Sequence, residues 1–280
     1  MKNWLTAILG VLCLTFFSCQ KEVDGGIVNG SNNGNGNGNT TGLLKKFVVQ
    51  DGSDSSVYNF LYDNNGKLSA VNLTTVTSGL SEFNNQFVER NSQGMIQKII
   101  TKASQLSQIG VDSLVAVVNS SSGKYTSKTI TYDVLGVKVQ FTFMYDYDAS
   151  GRIVSMKNFI DDGSGDIDST RFDYIYTGSN LTLVKGYDLS SSSTIASFNE
   201  AIEYDNKSSA LMVGNEAFIL NNFESWCSSN NFTKATVNLS GDPDTHIETW
   251  AYTYNVSNKP KTVNIIADGQ AGTVGNYYYY

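Results

Sequence analysis

The sequence predicts an all-β protein, an antiparallel meander of β-hairpins forming a twisted or curved open sheet with one or two short helices. Three observations predict it. Tyr, Phe and Trp alternate with other residues at period two in one stretch after another, the pattern of a strand with two unlike faces. Each stretch runs into a turn rich in Asp, Asn or Gly. Proline, which breaks strand ladders, occurs only 2 times in 280 residues, at positions 243 and 260, where turns or strand ends tolerate it.

The N-terminus precedes all of this. Lys2 is followed by an apolar run, Trp4–Phe17, shorter than the about 20 residues of a comfortable membrane span but of the right layout for a secretory leader. The run ends in "FFSC", which resembles a bacterial lipobox. The resemblance implies that residues 1–18 are a leader and that Cys19 is diacylated and becomes the first residue. The next residues, "QKEVD", resemble the sorting signal that sends Bacteroidetes lipoproteins to the cell surface. The stretch "GGIVNGSNNGNGNGNTTG" then closes residues 19–42, the expected tether. Gly, Asn and Ser bury too little apolar surface to offset chain entropy, and a flexible chain of that length spans on the order of 25 Å.

Residues 43–280 form the expected β domain. The hairpin units are "YNFLYDNNGKL" (58–68), "FTFMYDYDASGRI" (141–153), "FDYIYTGSNL" (172–181), "IEYDNKSSAL" (202–211) and "WAYTYNVSNKP" (250–260), with weaker copies at 83–96 and 130–139. Within each unit the aromatic residues share one face. Asp and Gly then close a short loop, and an apolar residue, Leu68, Ile96, Ile153 or Leu181, starts the way back. The motif aromatic-x-Tyr-Asp-x-x-Gly-(Arg/Lys)-(Leu/Ile) resembles the YD repeat of Rhs-type families. With the lipobox and tether, the chain is similar to Bacteroidetes surface lipoproteins of uncharacterised function that carry YD-like hairpins. The resemblance implies antiparallel sheet, and at this length a curved sheet rather than a closed shell. Residues 103–110 and 215–227 fall outside the pattern and are expected to be short helices.

Composition excludes some functions. The chain carries 19 basic against 26 acidic residues, a net charge of −7, and has no basic cluster, which argues against a nucleic-acid partner. If the leader is removed and Cys19 is lipidated, Cys227 is the one cysteine left, so neither a disulfide nor a cysteine metal cluster is expected. His246 is the single histidine, which excludes a two-histidine zinc site. No G-x-S-x-G elbow is present.

Two acidic stretches remain. In "YDYDASGRI" (145–153), Asp146 and Asp148 stand two residues apart, a spacing that overlaps a glycosidase pair. The same acid and base recur at Asp63 and Lys67, however, and a catalytic pair is not expected once per hairpin. The loop "DDGSGDID", Asp161–Asp168, offers carboxylates to Ca²⁺ but lacks the EF-hand order, and a hairpin loop accounts for it as well. Cys19 is therefore the one assigned site, a lipid anchor; no catalytic, cofactor or metal residue is assigned. The expected function is a non-enzymatic, lipid-anchored envelope protein at the outer membrane, on the cell surface or facing the periplasm. Its sheet would be offered to a glycan, peptide or protein. A glycan hydrolase with carboxylates in a cleft and a purely structural envelope component stand as alternatives.

Overall fold

A computed structural model describes residues 42–134, 136–163, 167–189, 195–220, 224–270 and 272–280. Sixteen strands follow one another: β1 (Leu44–Asp51), β2 (Asp54–Tyr62), β3 (Leu68–Thr77), β4 (Leu80–Arg90), β5 (Ile96–Ala103), β6 (Leu114–Ser121), β7 (Lys124–Val134), β8 (Val137–Tyr147), β9 (Ile153–Asp161), β10 (Ile167–Thr177), β11 (Asn180–Asp188), β12 (Phe198–Ser208), β13 (Asn230–Leu239), β14 (Thr245–Tyr254), β15 (Pro260–Ala267) and β16 (Thr273–Tyr279). Each pairs antiparallel with its sequence neighbours. Helix α1 (Ser104–Gln108) lies between β5 and β6; helix α2 (Glu216–Ile219) and a 3-10 turn, Glu224–Cys227, lie between β12 and β13.

The sheet is not open. Strand β16 pairs with β1, with Phe47 opposite Tyr277 and Val49 opposite Gly275, and the wall closes into a barrel. This overturns the expectation of a twisted or curved open sheet. The physical reason is edge removal: an open meander leaves two rows of unpaired backbone N–H and C=O groups, and pairing the first strand with the last satisfies both. Strand β6 (LVAVVNSS) lies outside every hairpin unit read from the sequence, because it carries no aromatic residue. The helix expectations at 103–110 and 215–227 are met by α1, α2 and the 3-10 turn.

Directly opposed residues in an antiparallel ladder share a face, so the pairings sort every strand into an inner and an outer side. The aromatic stripes face inward: Tyr58 and Phe60 on β2, Phe143 and Tyr145 on β8, Phe172 and Tyr174 on β10, Trp250 and Tyr252 on β14. In the terminal "YYYY", Tyr277 and Tyr279 belong to the inner side, while Tyr278 and Tyr280 are exposed. Gly275 makes room for this packing, since a Cβ there would stand 2.6 Å from both Phe47 and Val263.

The outer side is polar and charged. Lys98–Glu89 (3.2 Å), Lys157–Asp146 (3.6 Å), Arg171–Asp173 (3.1 Å) and Lys234–Glu203 (3.0 Å) are ion pairs on outward positions around the wall. Exposed ion pairs of this kind add about 0–1 kcal/mol each. Apolar side chains break this surface in short rows: Leu61–Ala70–Phe87–Ile100–Val115 crosses β2 to β6, and Ile175–Leu183–Ala201 crosses β10 to β12, with Ile247 beyond Thr236. The first is a single row deep, with Asn59, Asn72, Asn85 and Lys102 on one side of it.

Candidate functional site: a chamber closed at one end

Hairpin turns alternate between the two ends of the barrel, and the ends differ. At the first end lie the turns after β2, β4, β8 and β14. In each, the first turn residue accepts from the backbone N–H of the residue four positions on: Asp63 from Lys67 (2.9 Å), Asn91 from Met95 (3.0 Å), Asp148 from Arg152 (2.9 Å) and Asn255 from Lys259 (3.0 Å). The fourth turn position needs positive φ and is filled by Gly66, Gly94, Gly151 and, with φ 57°, Asn258. Tyrosines ring this end. Tyr62, Tyr147, Tyr176, Tyr204 and Tyr279 donate to the carbonyls of Leu44, Tyr125, Ile153, Leu181 and Pro260, each 18–23 residues away in sequence. Burial pushes the Tyr147 hydroxyl up to about 12.

This end is sealed. The segment between β12 and β13 turns into the lumen, pinned at its neck where the Ser209 N–H donates to the Ser229 carbonyl (2.8 Å). Ala217, Phe218, Ile219 and Leu220 are 0–4% exposed. Phe218 packs on Tyr174 with ring centroids 4.6 Å apart, and Trp226 meets Phe60 edge-on at 5.6 Å. Polar contacts hold the plug to widely separated strands. Arg90 grips Glu216 bidentately (2.6 and 2.8 Å), and the Tyr125 hydroxyl reaches the same carboxylate at 3.2 Å. Lys128, 1% exposed, donates to the Ile219 carbonyl. Asn215 bonds both the Gly151 carbonyl and the Ile153 N–H. So dense a set of contacts makes a fixed floor.

Above that floor the lumen holds space. Inward residues near the plug are buried, among them Phe60, Val71, Ile99, Val118, Tyr174 and Val184, all at 1–5% exposure. Toward the other end, α1 folds over the wall on one side, and Leu106, Leu114, Val139 and Phe141 are buried there. On the remaining side the inward residues Asn158, Phe172, Phe198, Glu200, Glu248 and Trp250 stay partly accessible. A side chain on the inner face of a closed wall is reached by solvent only where the lumen is not filled. Barrels of sixteen strands are wide enough to leave such a channel; here it ends blind. Asn84 Oδ1, Gln86 Oε1 and Asn158 Oδ1 are inward acceptors without a hydrogen-bond partner, and a buried acceptor left so costs about 1–3 kcal/mol. Trp250 packs on Phe232 and donates its indole N–H to Glu248. Burial raises the Glu248 carboxyl above its ordinary range.

The rim of the open end is acidic. Asp51 and Asp54 flank the first turn, Asp161, Asp162 and Asp168 the fifth, and Asp242, Asp244 and Asp268 the last two, with Asp112, Asp133 and Asp188 between. His246 stands on this rim. Its ring nitrogens lie 3.0 Å from Asp268 and 3.3 Å from Asp242, and these hydrogen bonds, that to Asp268 first, raise its pKa above the ordinary value. A groove of about 630 Å³ runs beside it, lined by Ile247, Thr249, Ile266 and Asp268.

The structure separates the residues singled out in the sequence. Asp146 points outward to Lys157, and Asp148 is held inside its own turn by Arg152, so the two form no cleft. Asp161 accepts from the Gly163 N–H (2.9 Å); residues 164–166 of that loop lie outside the described residues, as does Cys19. Cys227 is buried beside the Tyr176 hydroxyl, 3.8 Å away. Sequence reasoning missed Arg90, Glu216 and Glu248, although the break in the hairpin pattern at 215–227 marks the plug.

Two solved structures resemble this fold. A porin-like protein from Bacteroides uniformis is 12% identical with a TM-score of 0.55, over 85% of this chain and 98% of its own. A porin-like protein from Bacteroides vulgatus is 11% identical with a TM-score of 0.53, over 86% of this chain and 99% of its own. No family model and no curated protein matches the chain.

Proposed function

We propose that the chain is a non-enzymatic envelope protein, associated with the outer membrane through lipid on Cys19, whose barrel stands in water and takes a glycan or peptide ligand into its blind chamber. The observation that carries this reading is the sealed lumen: Glu216 locked to Arg90 at one end, accessible inward side chains toward the other. Such a lumen suits capture rather than passage. The porin-like neighbours favour an envelope setting, while the outer wall argues against spanning. A membrane barrel presents an apolar band about 25 Å tall, and a lysine or arginine at its midplane costs about 2–4 kcal/mol; on this wall the apolar rows are short and interrupted by outward ion pairs such as Lys98–Glu89, Lys157–Asp146 and Lys234–Glu203.

Three measurements test the reading. Mass spectrometry of the mature N-terminus is expected to find acyl chains on Cys19; an unmodified cysteine refutes the anchor. The chain from residue 20 onward is expected to be soluble and folded without detergent; a need for detergent refutes the water-facing wall. Titration with oligosaccharides and peptides is expected to shift Trp250 fluorescence in a Trp226→Phe background, and saturable binding insensitive to Trp250→Phe would place the ligand elsewhere. A second reading, glycan hydrolysis, is favoured by the raised carboxyl of Glu248 with Glu200 inward two strands away. Strand spacing and rise place their Cα atoms about 12 Å apart, wide for an acid–base pair. Reducing-end release abolished by Glu248→Gln would establish it.

A further inference from the structure

The charges of the barrel are segregated end to end. At the sealed end, Lys45, Lys67 and Lys124 are exposed, and Arg152, Lys207 and Lys259 are half-buried. Among the described acids there, Asp148 pairs with Arg152 and Glu216 with Arg90, while Asp63 and Asp205 accept hydrogen bonds from neutral groups, so five lysines stand against these two. At the open end the rim carries aspartates on nearly every turn, with Lys138 one of the few bases. A chain of net charge −7 thus turns a positive cap to one side.

The position of that cap is informative. The described chain begins there: the Gly42 N–H donates to the Tyr280 carbonyl (3.1 Å), and Lys259 donates to the Gly42 carbonyl. The residues before it, 1–41, include the cysteine read as the lipid anchor. The cap also shows two exposed apolar side chains, Val256 in the turn after β14 and Met212 in the plug. Basic groups near an anionic leaflet are attracted within about one Debye length, and apolar tips between them add contact with the headgroup region.

We propose that the sealed end is a membrane-docking face: Lys67, Lys124 and Lys207 rest against the phosphates of an anionic bilayer and hold the acidic mouth away from it. This uses the anchoring reading for its setting but not for its test, since docking is measured without the lipid. The probe is the chain from residue 20 onward, which contains the whole barrel, sedimented with vesicles of phosphatidylcholine alone or mixed with phosphatidylglycerol.

Binding to the anionic vesicles only, lost in about 1 M salt, is the expected result. The triple variant Lys67→Glu, Lys124→Glu, Lys207→Glu is expected to weaken it at least about tenfold, with its circular dichroism unchanged. Lys138→Glu at the other end is expected to leave it intact. Equal binding to both vesicle types, no binding at low salt, or equal loss with Lys138→Glu overturns the proposal. Competition by inorganic phosphate at matched ionic strength would point instead to a site for the free anion and would also overturn it.

Discussion

The two ends of the barrel are built from the same strands and finished differently. At the sealed end, four turns repeat one hydrogen-bond scheme, five tyrosines reach back across the wall, and a plug fills the lumen. At the open end nearly every turn carries aspartate but the turns share no common geometry, and inward side chains remain accessible. The difference teaches where to look for function. Regularity in this chain is structural: a motif that recurs in four turns of one end closes hairpins and caps a core. The places that depart from it, the insertion between β12 and β13 and the acidic rim, are the ones that shape the chamber.

If the sealed end carries the stability, variants there should be the costly ones. The largest effect is expected from Arg90→Met, which leaves Glu216 without its counter-charge among buried side chains, with only the Tyr125 hydroxyl still bonded to it. Breaking one member of such a pair costs about 3–5 kcal/mol, and urea denaturation should show it. The double variant Arg90→Met, Glu216→Gln should lose less, since no bare charge remains. Gly275→Ala comes next. Its Cβ would press on Phe47 and Val263 at the seam where the barrel closes, and overpacking of this kind costs about 1–3 kcal/mol. Equal stability of the variant would mean that the seam is loose.

Tyr204→Phe removes a hydroxyl that donates to the Leu181 carbonyl (2.6 Å) and accepts from Ser228 (2.9 Å). The buried Ser228 hydroxyl loses its acceptor, and a loss of about 1–3 kcal/mol is expected in thermal or urea unfolding. The smallest effect belongs to the open end. His246 has its pKa raised in the folded state by Asp268 and Asp242. Its contribution is fully present below the unfolded value of about 6.5 and is lost as pH rises through the higher folded one. An NMR titration of the single imidazole should place its midpoint above that of an unfolded chain, and Asp268→Asn should bring it down. A stability change across this pH range as large as that of Arg90→Met would reverse the ranking of the two ends.

Much of the wall was legible. Period-two stripes assigned Tyr58, Phe143, Tyr174 and Tyr252 to one face, and that face is the interior. The turn in "YDYDASGRI" read as a turn and is one: Asp148 accepts from Arg152 inside it, Gly151 takes φ 80°, and Ile153, 0% exposed, begins β9. The chamber was far less legible. Glu248 reads as one more polar residue before "TWAYTY", and Arg90 as one more base after a strand. What makes them notable is the wall behind one and the plug beside the other, 126 residues away in sequence from Arg90.

The sequence by itself determined the hairpins, their turns and which side chains share a face, because each of these rests on neighbours a few residues apart: Cβ alternation along a strand and side-chain caps within a turn. Only the tertiary structure decided that the sheet closes, that the plug helix Glu216–Ile219 lies inside the wall, and that one end is sealed and the other is not. Those outcomes depend on β1 finding β16 and on Glu216 finding Arg90. Contacts across such distances are selected by the packing of the whole chain, and no local pattern records them.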